Sequence, residues 1–308
     1  MRRLTEGTMI SIKMKKKYII ISMISTLFLT TLVTIFIFSF FNKENKKTDG
    51  SNDVTVVKVG IMNGRIKDDE TWQIINQKLK PQHIQVELKR YEDYNLPNKD
   101  LEKGVLDLNA FQHKSFLDDW NKKNKGDLVP IGETYLSPLR LYSSIYKDIN
   151  QIPDGTTIRV PNDTINQSRG LKFLENLGLI TFKPSSNKES NDLVSVKDIL
   201  TNRKNFNIQA FPVEQLLAKY GTGITVAITT DDYAKMANLS VGDVISVEKI
   251  NSSSKQWVNV VSARKNDKNN PIYKKIIDAY QTPEVAEAME DEIGRYQIPA
   301  WKNTEFNN

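Results

Sequence analysis

"DVTVVKVGIMNGRIKDDETWQIINQKLKPQHIQVELKRY", residues 53–91, decides the fold class. Its first twelve residues alternate apolar and polar and then break at Gly60 and Gly64. That is the pattern of a buried strand ending in a loop. Trp72, Ile75 and Leu79 follow at helical spacing, and Pro81 stops the helix. "IQVELKRY" (84–91) alternates again, and "NKDLEKGVLDLNAF" (98–111) supplies a helix, a turn at Gly104 and a third strand. Strand, helix, strand, helix, strand is the signature of a parallel sheet covered by helices.

A second alternating set follows. "TYLSPLRLYSSIY" (134–146) reads as a strand interrupted by Pro138, and "TTIRVPND" (156–163) as a strand leading into a helix. "FNIQAF" (206–211), the helix "VEQLLAKY" (213–220), "GITVAITT" (223–230) and the helix "DDYAKMANL" (231–239) continue the alternation. "QWVNVVSARK" (256–265) is one more strand, helices follow from 270 to 294, and "KPSSNKESND" (183–192) reads as a surface loop. Two α/β sets joined by extended segments imply two lobes. The first is expected over 54–141 and 253–308, the second over 142–252. Ligands of open α/β sheets sit beyond the carboxyl ends of the strands. Gly60–Gly64, Asn109–His113, Asn162–Arg169 and Thr229–Asp232 all fall at such ends, so a cleft between lobes is expected.

The 308-residue chain carries a formal charge of +6. Nine of its 43 Lys/Arg and three of its 37 Asp/Glu lie in residues 1–50. The remaining 34 bases and 34 acids balance, so the basic character belongs to the amino-terminal segment and gives no support for nucleic-acid binding. There is no cysteine, which excludes disulfides, thiolate metal sites, cysteine nucleophiles and a lipid-acceptor cysteine. With only His83 and His113 as histidines, no metal or other cofactor is expected.

Tyr18 to Phe41 is a run of 24 residues without a charge. At about 1.5 Å per residue it is long enough to cross a hydrocarbon core of about 30 Å. Lys15, Lys16 and Lys17 precede it, which places residues 1–17 in the cytoplasm and the body outside. The apolar run exceeds the usual signal core and no small-residue cleavage site follows, so an uncleaved anchor is expected. Residues 42–53 read as a polar tether. Met14 opens "MKKKYIII", the more usual start of an export segment.

"PNDTINQSRGLKFLENLGLI" (161–180) supports two readings on spacing alone. Asn162 and Asp163 are good helix caps, and Arg169 can be a surface arginine paired with Glu175 or solvent. Alternatively, Arg169 offers a fork that matches a carboxylate, near a helix amino terminus that already favours anions. Asn166 lies three residues before it, on the same helical face. In "NAFQHKSFLDDW" (109–120), Phe111 and His113 share one side of an extended segment and Gln112 takes the other. They can line a pocket for an apolar or thioether side chain, or be core residues. Tyr91 and Tyr94 give a weaker signal. The acidic pairs Asp68–Glu70, Asp118–Asp119 and Asp231–Asp232 lack calcium-loop spacing and read as helix-start acids. No nucleophile–base–orienter set, P-loop, zincin or dinucleotide motif is present.

From Val56 to Trp301 the chain resembles the methionine-binding subunits of bacterial ABC importers, the MetQ/NlpA type of substrate-binding lipoprotein. "YEDYNLPN" (91–98), "LDLNAFQHKSFL" (106–117), "SPLRLYS" (137–143), the 160–180 stretch, "WVNVV" (257–261) and "IPAW" (298–301) carry the resemblance in order. Each is weak alone; their order is specific. The wording of "AFQH", "SPLRLYS" and "SKQW" looks most like the streptococcal-type branch of Gram-positive bacteria. The resemblance implies a two-lobed periplasmic-binding-protein fold of type II that closes on one free amino acid, with methionine first. It implies a carboxylate clamp at Arg169, hydrogen bonds from Asn166 and Asn259, and packing of the ligand side chain by Tyr94, Phe111 and His113. Partners would be the amino acid, an ABC permease with its ATPase, and the membrane; no enzymatic activity is implied. Three departures stand out. Thr230 occupies the place of the family's asparagine in "TDDYA", which leaves D-methionine, a methionine dipeptide or another small amino acid open as ligand. The first strand ends "GIMNGRIKDDETW", without the Pro-His-Ala-Glu wording common in the family. The lipobox cysteine is missing, so the apolar run would serve as anchor. A surface adhesin and an α/β hydrolase are the competing classes.

Overall fold

The computed structural model describes residues 54–64, 67–184, 192–212, 215–217, 226–230, 233–234, 238–289 and 297–302. The expected segments 1–17, 18–41 and 42–53 lie outside them, as do most of the expected helix at 213–220 and most of the loop at 183–192. Among the described residues, no helix is long and apolar enough to cross a membrane.

The opening stretch folds as its periodicity dictates. β1 (Thr55–Met62), α1 (Asp68–Leu79), β2 (Ile84–Tyr91), α2 (Leu96–Glu102), β3 (Leu108–His113), α3 (Lys114–Asn124) and β4 (Val129–Glu133) follow one another. β1 pairs in parallel with β2 on one side and β3 on the other. Val57, Val59 and Ile61 of β1 pack on Trp72, Ile75 and Leu79 of α1, the residues that share one helical stripe. Met62 belongs to a different cluster with Leu101 of α2 and Leu117 and Trp120 of α3. Helices therefore cover both faces, as a parallel sheet requires. Asn76 of α1 both donates to and accepts from the backbone of Val86 (3.0 and 2.7 Å), which ties α1 to β2.

The chain then leaves this sheet. β5 (Tyr135–Leu136) and β6 (Arg140–Tyr142) flank Pro138, and they lie in different sheets. The sequence reading has one strand interrupted by Pro138 and a change of lobe at 141/142. In fact β6 sits in the second sheet from Arg140, because Arg140 and Leu141 already pair with Thr229 and Ile228. The second sheet has the order β10 (Asn207–Phe211), β7 (Thr157–Pro161), β11 (Val226–Thr229), β6, β12 (Val244–Val247). α4 (Thr164–Asn176) follows β7 and buries Leu171, Phe173 and Leu174 against Ile158, Val160 and Ile228. A separate pair, β8 (Ile180–Phe182) with β9 (Ile199–Asn202), lies beyond α4.

After β12 the chain returns to complete the first sheet. β13 (Asn259–Ala263) inserts between β3 and β4, antiparallel to both. The first sheet thus has the order β2-β1-β3-β13-β4. In each five-stranded sheet the fourth position holds the reversed strand, which is β13 in one and β6 in the other. α5 (Pro271–Tyr280) and α6 (Pro283–Met289) close over α1, with Tyr280 edge-on to Trp72 at 5.6 Å. β14 (Ile298–Pro299) pairs with β5, and Trp301 packs on Tyr280 at 5.8 Å. Two passages connect the sheets: Ser137–Leu139 outward, and 248–258 back, which includes a short 3-10 helix at Ser252–Trp257.

Candidate functional site

The carboxyl end of β3 supplies one wall. His113 is its last residue and the N-cap of α3, with extended backbone, and its Nδ1 accepts the Phe116 N–H at 3.1 Å. Nδ1 is therefore the unprotonated nitrogen, and Nε2–H donates to Asn166 Oδ1 at 3.0 Å. Phe111 stacks with Tyr94 at a centroid distance of 6.0 Å, and Phe116 lies tilted against Tyr94 at 5.8 Å. The Tyr94 hydroxyl bonds that of Tyr233, which follows the second sheet's β11. Gln112 points to the other side, as alternation requires, and forms a buried amide pair with Asn98.

The opposite wall is the start of α4. Asp163 is its N-cap and accepts the Asn166 N–H at 2.9 Å. Asn166 also turns its amide nitrogen onto both carboxylate oxygens of Asp163, at 3.1 and 3.0 Å. Its carbonyl is thereby left to receive His113, so Asp163, Asn166 and His113 form one oriented chain across the two sheets. Burial pushes the Asp163 carboxyl above its ordinary range, against the pull of the backbone and side-chain hydrogen bonds from Asn166. Asn162 is exposed.

Arg169, one helical turn on, is buried and holds an acid, though not Glu175. Its Nε donates to Glu248 Oε1 at 3.0 Å and its Nη2 to Glu248 Oε2 at 2.5 Å. Nη2 also donates to the carbonyl of Ser137 at 3.0 Å, and the guanidinium carbon lies 4.9 Å from the Trp257 ring centroid. Glu248 Oε2 accepts the Leu139 N–H as well, at 3.0 Å. Arg169 thus grips both passages between the sheets: Ser137 on the outward one, Glu248 at the start of the return. Nη1 makes no hydrogen bond to the described residues.

These walls enclose about 510 Å³ of empty space, open mouth included. Tyr94, Phe111 and His113 line it from the first sheet, and Asn166, Arg169 and Thr230 from the second. Asn259 lines it from β13, beside His113 in the register, and donates to the Tyr135 carbonyl at 3.2 Å. All seven residues expected from the sequence therefore border one cavity. Gly60–Gly64, although at the end of β1, does not border it.

The sequence profile of the NlpA lipoprotein family matches residues 57–301, nearly the whole described body. The chain belongs to the NlpA lipoprotein family. A Haemophilus influenzae relative described as a probable D-methionine-binding lipoprotein MetQ is 32% identical over 262 residues, spanning 84% of this chain and 92% of the relative. The substrate-binding protein of a methionine transporter from Streptococcus pneumoniae superposes with a TM-score of 0.74 at 33% identity, covering 80% of this chain and 96% of that one. A Burkholderia cenocepacia nutrient-binding protein, solved bound to methionine, gives a TM-score of 0.73 at 31% identity over 79% of this chain and 99% of that one.

In this NlpA-family chain the sequence reading missed part of the site. Gln112, whose side-chain amide is turned to Asn98, and Phe116, Tyr135, Ser137 and Leu139 also line the cavity. Phe116 was legible in principle, three residues after His113 on the first turn of a helix. Ser137 and Leu139 act partly through backbone atoms, which carry no side-chain signal. Glu248 follows the short strand β12, "VISV", four residues without a clear apolar–polar alternation.

Proposed function

We propose that this chain is the substrate-binding component of an ABC importer and takes one free amino acid, methionine first, into the cavity between the two sheets. The observation that carries the reading is the convergence of seven separately placed residues on one cavity with, among the described residues, a single charged lining group, Arg169. Each sheet with its helices is one lobe of a type II periplasmic-binding-protein fold, and the two passages between them are the hinge. Arg169 takes the ligand carboxylate, Asn166 and Asn259 hydrogen-bond its polar end, and Tyr94, Phe111 and His113 hold the thioether side chain. Thr230, in place of the family's asparagine, sets the preference among L-methionine, D-methionine and a methionine dipeptide. The protein binds and delivers; it performs no chemistry.

The magnitudes suffice. Burying a methionine-sized side chain contributes about 1.5–3 kcal/mol. Each hydrogen bond to a charged group adds about 1.5–3 kcal/mol. A few such terms, less the cost of association, reach a dissociation constant of about 1 μM, equivalent to about 8 kcal/mol. Delivery requires the site to stand outside the membrane beside a permease. The run Tyr18–Phe41 supplies an anchor with the amino terminus inside, in a chain that has no cysteine to accept lipid. Mass spectrometry of the mature amino terminus tests this: a chain beginning near residue 45 would replace the anchor with a cleaved signal. Calorimetry of the full chain against a panel of amino acids tests the binding reading. Saturable uptake of a methionine form is expected; no saturable binding of any free amino acid or methionine dipeptide would sink it.

A further inference from the structure

We propose that Glu248 sets the charge selectivity of the site: it aims Arg169 and offsets its charge, so that the cavity takes a net-neutral zwitterion in preference to a net anion. The inference rests on the binding reading above and names a residue outside the expected seven. Glu248 does not line the cavity, yet its two oxygens occupy the Nε and Nη2 edge of Arg169, the one charged group that does among the described residues. Its side chain is only 13% exposed and that of Arg169 only 5%, so solvent screens the pair weakly. Glu248 is itself held in place, since Oε2 accepts the Leu139 N–H and its own N–H donates to the Leu139 carbonyl at 2.8 Å.

Two consequences follow. First, the Nε and Nη2 donors are committed to Glu248 and Ser137, so Nη1 is the part of the guanidinium left to meet a ligand carboxylate. Second, a carboxylate on Nη1 lies within one guanidinium of a second carboxylate. A ligand with only a negative group is repelled by Glu248. A ligand that also carries an ammonium regains that energy, because the ammonium is attracted by the same acid. No Asp or Glu borders the cavity itself among the described residues. Asp163 touches it through Asn166 alone, and its burial favours the neutral carboxyl.

The test compares L-methionine with 4-(methylthio)butanoate, which keeps the carboxylate and thioether and lacks the ammonium. Calorimetry of the full chain gives the ratio of their dissociation constants. A change in how Arg169 is aimed affects both ligands through the same carboxylate, whereas a change in site charge alters the ratio. In E248Q, and in E248A, which places no amide against the guanidinium, the preference for L-methionine should fall at least tenfold relative to the wild type. In E248D, which keeps the charge, the ratio should stay within threefold. Circular dichroism verifies folding of each variant. An unchanged ratio in either folded neutral variant overturns the charge role of Glu248 while leaving the binding reading intact. Failure of the wild type to bind any free amino acid or methionine dipeptide, in turn, overturns the binding reading and this inference with it.

Discussion

Arg169 is the residue on which the site turns, and it serves stability and binding at once. Arg169→Ala should raise the dissociation constant for methionine at least about tenfold, about 1.4 kcal/mol. It also strands Glu248 in a mostly buried position, which costs about 3 kcal/mol, the low end for breaking such a pair because the carboxylate keeps some solvent and the Leu139 N–H. Adding Glu248→Gln to Arg169→Ala should recover part of the lost stability in urea and none of the binding. Recovery of binding would remove the clamp role. Asp163 gives a pH signature. Its folded-state proton affinity is raised by burial, so it favours the fold below the ordinary carboxylate value of about 3.9, and that contribution is lost as pH rises through the raised value. Asp163→Asn keeps the cap oxygen and removes the titration. Urea midpoints of the wild type should therefore fall relative to those of the variant as pH rises across that window. A difference that stays flat, or runs the other way, would contradict this origin for the shift.

At the scale of elements, β1 depends on the absence of a side chain at Gly60. A Cβ there would meet Asn109 Oδ1 at 2.4 Å and Leu106 Cδ1 at 2.6 Å. Asn109 cannot give way easily, since its amide nitrogen is engaged by Asn98 at 2.9 Å within the buried amide cluster under the sheet. Gly60→Ala should cost about 1–3 kcal/mol by overpacking, read as a lower urea midpoint. The alternation of 53–64 and 84–91 and the Trp72–Ile75–Leu79 stripe were legible because Val57, Val59, Ile61, Ile84 and Val86 pack with that stripe in one cluster. Pro138 marked an interruption, but not that its two flanks enter different sheets, because that depends on pairing with Thr229 and Ile228 far along the chain. β12 escaped because it is four residues long and only half buried, so alternation had little to act on. The site was legible where side chains act and where motif order supported them, at Phe111, His113, Asn166 and Arg169. It was silent where the backbone acts, at Ser137 and Leu139, and where the partner is remote, at Glu248.

At the scale of the described body, side-chain contacts span the cavity between the two five-stranded sheets. His113 with Asn166, Tyr94 with Tyr233 and Lys123 with Thr164 join side chains from opposite sides. A ligand seated between them adds contacts that exist only in the closed, folded chain. At a hundredfold excess over its dissociation constant it should stabilise the fold by about 2.7 kcal/mol. For a body of this size that raises the melting temperature by roughly 5–10 °C. Differential scanning calorimetry with and without methionine reads the shift, and an unmoved transition would argue against a ligand held by both sheets. The most direct measurement is a crystal structure of the chain grown with L-methionine. The account predicts the carboxylate about 3 Å from Arg169 Nη1, with Glu248 still on Nε and Nη2 and the thioether against Tyr94 and Phe111. A methionine bound elsewhere, or an unchanged cavity at saturating methionine, would contradict it.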